Sequence, residues 1–153
     1  MSKKIDLATA GAGVYKMMLG LEAYVHQSGL EAGLVNLIKL SASYINGCAY
    51  CVDMHTKEAR AAGETEQRLF AVPVWPETPF FTPRERAALA WTEAVTRISR
   101  EGVPSDVYDE AVAHFNDKEL ADLTLAVIAI NGWNRLAISF HADVGSYKVP
   151  TKL

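Results

Sequence analysis

The segment from Glu31 to Ile45 constrains the fold more than any other, because Leu34, Val35, Leu37, Ile38, Leu40, Ala42 and Ile45 leave it apolar nearly all round. A helix with so wide an apolar surface has to be covered on several sides, as the inner helix of a bundle is. Its polar exceptions, Asn36, Lys39 and Ser43, stand at i, i+3 and i+7 and share one stripe. That stripe is expected to face solvent, with a polar pocket as the alternative. No stretch of the chain shows strict apolar–polar alternation, so the expected architecture is all-α.

The flanking sequence divides into further helices. Val14, Met17, Met18, Leu21 and Val25 predict a helix with one buried face that ends at Gly29, and His26 near its end has a dipole contact as sufficient explanation. Asn46 as N-cap and Gly63 as C′ residue bound a helix from about Gly47 to Ala62. A short helical turn over Glu64 to Ala71 leads into a proline-broken stretch, Val72 to Pro79, expected to be extended and to serve as a lid or subunit contact. Thr82-Pro83-Arg84-Glu85 is a capping box that opens a helix running to Gly102, and Glu85 has its job in that cap, whereas Glu93 is unexplained. Ser105 starts a helix through Phe115. Asn116-Asp117-Lys118-Glu119 is a second capping box, before an apolar helix from Leu120 to about His141. In that helix Gly132 predicts a kink or a close neighbour, and Asn131 and Asn134 are expected to hydrogen-bond structurally.

With 153 residues, half of them apolar, the chain suits one domain over residues 1–153. Its net charge of -3 and scattered Lys and Arg exclude a nucleic-acid footprint. No signal-peptide h-region is seen, and no apolar run reaches the ~18 residues that span a bilayer, so a soluble, cytoplasmic protein is expected. In that compartment purely structural disulfides are uncommon, and the two cysteines in Cys48-Ala49-Tyr50-Cys51 point to redox chemistry or metal binding.

On a helix Cys48 and Cys51 are neighbours with Cβ atoms about 5–6 Å apart, and His55, four residues after Cys51, continues the stripe. The helix start favours a thiolate at Cys48, while the histidine can take the proton of Cys51 or stabilise its anion. A Cys51 thiolate that attacks peroxide would give a sulfenic acid, which Cys48 could resolve to a disulfide and water. Two other readings stay open. Zinc would use Cys48, Cys51 and His55 but needs a fourth ligand from His26, His114 or His141, and both cysteines could simply pack in a core.

The run Ser43-Tyr44-Ile45-Asn46-Gly47-Cys48-Ala49-Tyr50-Cys51-Val52-Asp53-Met54-His55, continued through Arg60, resembles the alkyl hydroperoxidase D and carboxymuconolactone decarboxylase family in its C-x-x-C-x-x-x-H. The likeness extends through Arg84 to Ala94 and Trp133-Asn134-Arg135-Leu136. It implies an AhpD-like helical bundle assembling as a homotrimer or homohexamer, with no cofactor and no metal. The implied activity is thiol-dependent reduction of hydrogen peroxide or an organic hydroperoxide in antioxidant defence, recharged by a dithiol protein or a dihydrolipoyl-type reductant. Cys51 is then similar to the family's peroxide-attacking thiol, Cys48 to its resolving partner and His55 to the base. Lactone decarboxylation in the wider family does not rely on the cysteine pair, so the pair argues against it here.

Two positions depart from the family. The relay glutamate twelve residues before the first cysteine is Asn36, which cannot shuttle a proton as a carboxylate does, and a histidine between the cysteines is replaced by Tyr50. Slow peroxide turnover is expected, or a proton relay through Tyr50, Glu93 or a water. The alternatives are a protein disulfide reductase or isomerase using the same pair and a non-enzymatic, metal-binding helical oligomer.

Overall fold

The computed structural model describes residues 4–151, which contain helices and no strands. In chain order the helices are α1 (Ala12–Gln27), α2 (Ala32–Asn46), α3 (Ala49–Ala61), α4 (Glu66–Ala71), a 3-10 segment (Val72–Glu77), α5 (Pro83–Thr96), α6 (Ile98–Glu101), α7 (Ser105–His114) and α8 (Asp117–Ser139). The all-α architecture read from the sequence is the one observed.

Helix α2 is the inner helix, packed by α3, α5 and α8. Its apolar surface feeds two cores. Leu34, Val35 and Ile38 join Ala87, Trp91, Phe115, Leu123 and Val127 on one side, and Leu37 and Leu40 join Leu69, Val72, Trp75, Phe81 and Leu89 on the other. Burial on both flanks is what an all-round apolar sequence requires, since each exposed methylene would forgo about 0.8 kcal/mol of transfer free energy. Both capping boxes form, at Thr82–Glu85 and Asn116–Glu119. Glu85 also takes a pair of hydrogen bonds from Arg68, so its role is structural.

Four local expectations are corrected. Asn46 ends α2 rather than capping α3, because Gly47 takes a left-handed conformation with φ +69° and closes α2, and Cys48 becomes the N-cap of α3. Residues 72–77 are a 3-10 helix rather than extended chain. Pro73 falls near its start, where a missing N–H costs nothing, and Val72 and Trp75 sit in the core, which removes this segment as a lid. The helix begun at Pro83 breaks at Arg97 before α6.

The fourth correction concerns α1. It packs on α8, and of its apolar stripe Val25 is buried and Met18 and Leu21 are half-buried, while Val14 and Met17 are exposed. An outer helix held mainly by one neighbour covers only a narrow strip of its surface. Met18 reaches Gly132, where an added Cβ would stand 2.9 Å from its Cε, so the glycine admits a close neighbour. Among the described residues no helix is long and apolar enough to cross a membrane.

Candidate active site

The turn between α2 and α3 carries the first cysteine, and polar side chains fix it to α8. Cys48 N–H closes back onto Ser43 O at 3.0 Å around the left-handed Gly47. Asn46 Nδ2 donates to Asn131 Oδ1 and Asn134 Oδ1, each at 2.9 Å, and Asn134 Nδ2 donates to Ser43 Oγ at 3.1 Å. Asn131 also donates to Thr96 Oγ1 at 3.0 Å. The two asparagines of α8 thus have the structural partners expected of them, and two of those partners, Ser43 and Asn46, stand in the last turn of α2 just before Cys48.

Cys48 and Cys51 are joined as a disulfide with Cα atoms 5.3 Å apart, and the Cys48 sulfur accepts the Cys51 N–H at 3.3 Å. The state described is therefore the oxidised half of a dithiol/disulfide couple. The two sulfurs differ in access. Cys48 is sealed beneath the turn, whereas Cys51 forms part of the wall of a cavity of about 520 Å³ and is 4 % exposed.

That cavity lies among α1, α2, α3 and α8. Tyr50, Met54, His55 and Glu58 come from α3, Tyr15, Leu19 and Glu22 from α1, and Trp133 and Leu136 from α8. Residues 5–8 and the segment after α8, including Phe140 and Tyr147, close it. The wall is mostly apolar and aromatic, which leaves its few polar groups with little water to compete against.

Two polar clusters stand in it. His55 Nδ1 lies 3.0 Å from Glu58 Oε2, and Tyr147 Oη donates to Glu58 Oε1 at 2.7 Å. Burial pushes the Glu58 carboxyl up, but the hydrogen bonds from His55 and Tyr147 and the charges of His55 and Lys39 outweigh it and leave the group below the usual carboxylate range. Lys39 is ion-paired to Glu22, whose other oxygen accepts Trp133 Nε1–H at 3.0 Å. The stripe on α2 therefore does not face solvent. Lys39 points into the cavity and Ser43 is buried beneath it, because α1 and α8 cover that side of α2.

Of the residues singled out in the sequence, Cys51, His55 and Tyr50 line this cavity and Cys48 lies directly behind it. Tyr50 is held up from the ordinary phenol range by burial and by the neighbouring Tyr15, Asp53 and Glu58. Asn36 and Glu93 stand outside that lining. Asn36 sits almost a turn before Lys39 on α2 and is not part of the lining, and Glu93 is on α5, which contributes nothing to this cavity; Glu93 lines a separate hollow with Arg97 and Arg100. Glu58 and Tyr147 went unnoticed in the sequence. Glu58 was within reach, being three residues from His55 and so on its helix face. Tyr147 lies 89 residues from its partner and carried no local signal. Among the described residues no three His, Cys, Asp or Glu side chains converge as metal ligands do.

Tyr147 supplies a pH test of this geometry. Burial, then the hydrogen bond and charge of Glu58, push its phenol up to about 12 from 10.0. A folded-state pKa above the unfolded value means a stabilising contribution that is complete below pH ~10 and lost as pH rises through ~12. In the ultraviolet titration, Tyr147→Phe should remove a tyrosine that ionises near pH 12 and leave the other raised tyrosines in place; an unchanged difference spectrum would mean that the segment after α8 is not docked on Glu58.

The arrangement has relatives. Residues 12–94 match the model of the carboxymuconolactone decarboxylase family. The uncharacterised protein YdfG of Bacillus subtilis (strain 168) is 38% identical over 139 residues, covering 91% of this chain and 95% of its own length. The crystal structure of ATU0492 from Agrobacterium tumefaciens, a protein of unknown function ascribed to AhpD-type antioxidant defence, is 45% identical with a TM-score of 0.91 over 95% of this chain and all of that one. At 22% identity and a TM-score of 0.79, the alkylhydroperoxidase AhpD core of an uncharacterised peroxidase-related protein from Ralstonia eutropha JMP134 shares the fold, over 92% of this chain and 74% of that one.

Proposed function

Because the chain belongs to the carboxymuconolactone decarboxylase family and has its AhpD-like helical fold, we propose that it is a thiol-dependent peroxidase of antioxidant defence, with Cys51 as the attacking thiol and Cys48 as its resolving partner. The observation that carries this reading is the asymmetry of the pair: Cys51 forms the cavity wall beside His55, and Cys48 is buried behind it.

In the reduced protein His55 takes the Cys51 proton. The thiolate attacks the terminal oxygen of a hydroperoxide, the O–O bond breaks, and the leaving alkoxide takes that proton to become the alcohol. Cys51 is left as a sulfenic acid. The Cys48 sulfur displaces its hydroxyl, which leaves as water with the Cys48 proton, and the disulfide forms. A dithiol protein or dihydrolipoyl-type donor then reduces the disulfide through a mixed disulfide, returning two electrons and two protons. Hydrogen peroxide would give water in place of the alcohol.

The setting of this reaction is the cytoplasm, with residues 1–153 as a single domain in a homotrimer or homohexamer. Exposed apolar side chains on α1 and α8, among them Val14, Met17, Ile128 and Ile138, support the assembly. No cofactor or metal is needed for the cycle.

The test supplies reduced protein with cumene hydroperoxide and a dithiol donor, and in parallel with a mixed-disulfide protein substrate. Cumyl alcohol formed one-for-one with donor oxidised is the expected outcome. Turnover of the mixed disulfide alone would replace the peroxidase reading with a disulfide reductase or isomerase.

A further inference from the structure

We propose that Glu58 is the positioning residue that holds His55 for proton transfer at Cys51, and that the segment after α8 completes this arrangement by placing the Tyr147 hydroxyl on the same carboxylate. The inference rests on the peroxide reading for the reaction it serves, and on the site's own geometry for the residues.

The first argument is the way the imidazole is held. His55 Nδ1 is 3.0 Å from Glu58 Oε2, so this nitrogen carries the proton and donates it to the carboxylate, and the lone pair stays on Nε2. A carboxylate behind the ring fixes that tautomer, orients the ring and stabilises the imidazolium formed when Nε2 accepts the thiol proton. His55 is 4 % exposed, so solvent offers the imidazolium little alternative stabilisation.

The second argument is the fixing of Glu58 itself. Its other oxygen accepts the Tyr147 hydroxyl at 2.7 Å. Lys57 anchors the same segment by donating to Tyr147 O at 3.0 Å while paired with Asp53 at 2.8 Å. Glu58 therefore has both oxygens engaged, one by the ring it orients and one by a residue 89 positions away in sequence. A surface carboxylate one turn along a helix would have neither restraint.

The third argument is elimination within the cavity. Asn36 lacks a carboxylate and lies outside the lining, and Glu22 is already committed to Lys39 and Trp133. The other ionisable groups lining the cavity are Asp6, Tyr15, Lys39, Tyr50 and Asp143, none of which is hydrogen-bonded to His55. Glu58 is the carboxylate in contact with the imidazole.

The experiment uses the reduced full chain in four forms: wild type, Glu58→Gln, Glu58→Asp and Tyr147→Phe. Two readouts are taken on each: the pH profile of Cys51 alkylation by iodoacetamide, with modified sites mapped by peptide mass, and the single-turnover rate with cumene hydroperoxide. Glu58→Gln should move the Cys51 profile to higher pH and slow single turnover by at least about tenfold, since the carboxylate behind a general-base histidine holds its tautomer and stabilises its imidazolium. Tyr147→Phe should move both readouts the same way by a smaller factor, and Glu58→Asp should restore part of the loss. A folded Glu58→Gln variant, by circular dichroism, with a wild-type alkylation profile and wild-type rate overturns the assignment. If wild type fails to reduce the hydroperoxide while Glu58→Gln still displaces the alkylation profile, the peroxide reading falls and the positioning role stands.

Discussion

Cys51→Ser is expected to lower hydroperoxide consumption by at least about a thousandfold, to the background set by the donor thiol alone. A hydroxyl in place of the thiol keeps the shape of the cavity wall but has no accessible anion at neutral pH, so the step that breaks the O–O bond is lost rather than slowed by misplacement. Cys48→Ser behaves differently. Its sulfur is sealed behind the cavity, so peroxide should still be attacked once, and turnover should stall because the sulfenic acid on Cys51 has no internal partner. The measurement is stoichiometric: alcohol released per chain should be near zero for Cys51→Ser and near one for Cys48→Ser. Equal loss in the first turnover of both variants would mean that the two thiols are not divided in this way.

The second large effect is on stability. Asn134→Ala should destabilise the fold by roughly 2–3 kcal/mol, because it withdraws one of the two acceptors of the Asn46 amide and the donor to Ser43 Oγ from a fully buried position and leaves a void where the amide stood. Asn131→Ala, at a half-buried position, should cost less. Chemical denaturation of the two variants measures the difference. Asn134→Ala within about 0.5 kcal/mol of wild type would show that the network is not what holds the turn before α3.

Much of the fold was legible because its strongest signals are physical necessities. The all-round apolarity of α2 left it no place but the inside, and Thr82, Glu85, Asn116 and Glu119 could be read as caps because each satisfies otherwise orphaned N–H groups. The failures have equally specific causes. Periodicity on α1 showed that one face is apolar, but not how much of it a single neighbouring helix covers. At residues 46–48 two signals competed, an asparagine suited to open a helix and a glycine suited to close one. Gly47 prevailed because its positive φ ends α2, leaving Asn46 free to bond Asn131 and Asn134. The prolines of residues 72–79 suggested extended chain, yet burial of Val72 and Trp75 holds residues 72–77 in a 3-10 turn.

The site divides along the same line. The spacing of Cys51 and His55 on one helix face was sufficient to bring them to one wall, and the stripe of Lys39 and Ser43 was visible although its direction was not. What sequence could not supply is tertiary: the segment after α8 folding back so that Tyr147 meets Glu58, and α1 bringing Glu22 to Lys39. Glu93, offered as a relay by its residue type, lies on α5 away from the cavity, and Asn36, at the position of the family's relay glutamate, is not part of its lining.

The central claim is that Cys51 is the atom that meets the peroxide. Its most direct test is to give the reduced Cys48→Ser protein one equivalent of cumene hydroperoxide in the presence of dimedone and to map the adduct by peptide mass. The account predicts a dimedone adduct confined to Cys51 with one equivalent of cumyl alcohol released; no adduct and no alcohol from a folded, fully reduced protein would contradict it.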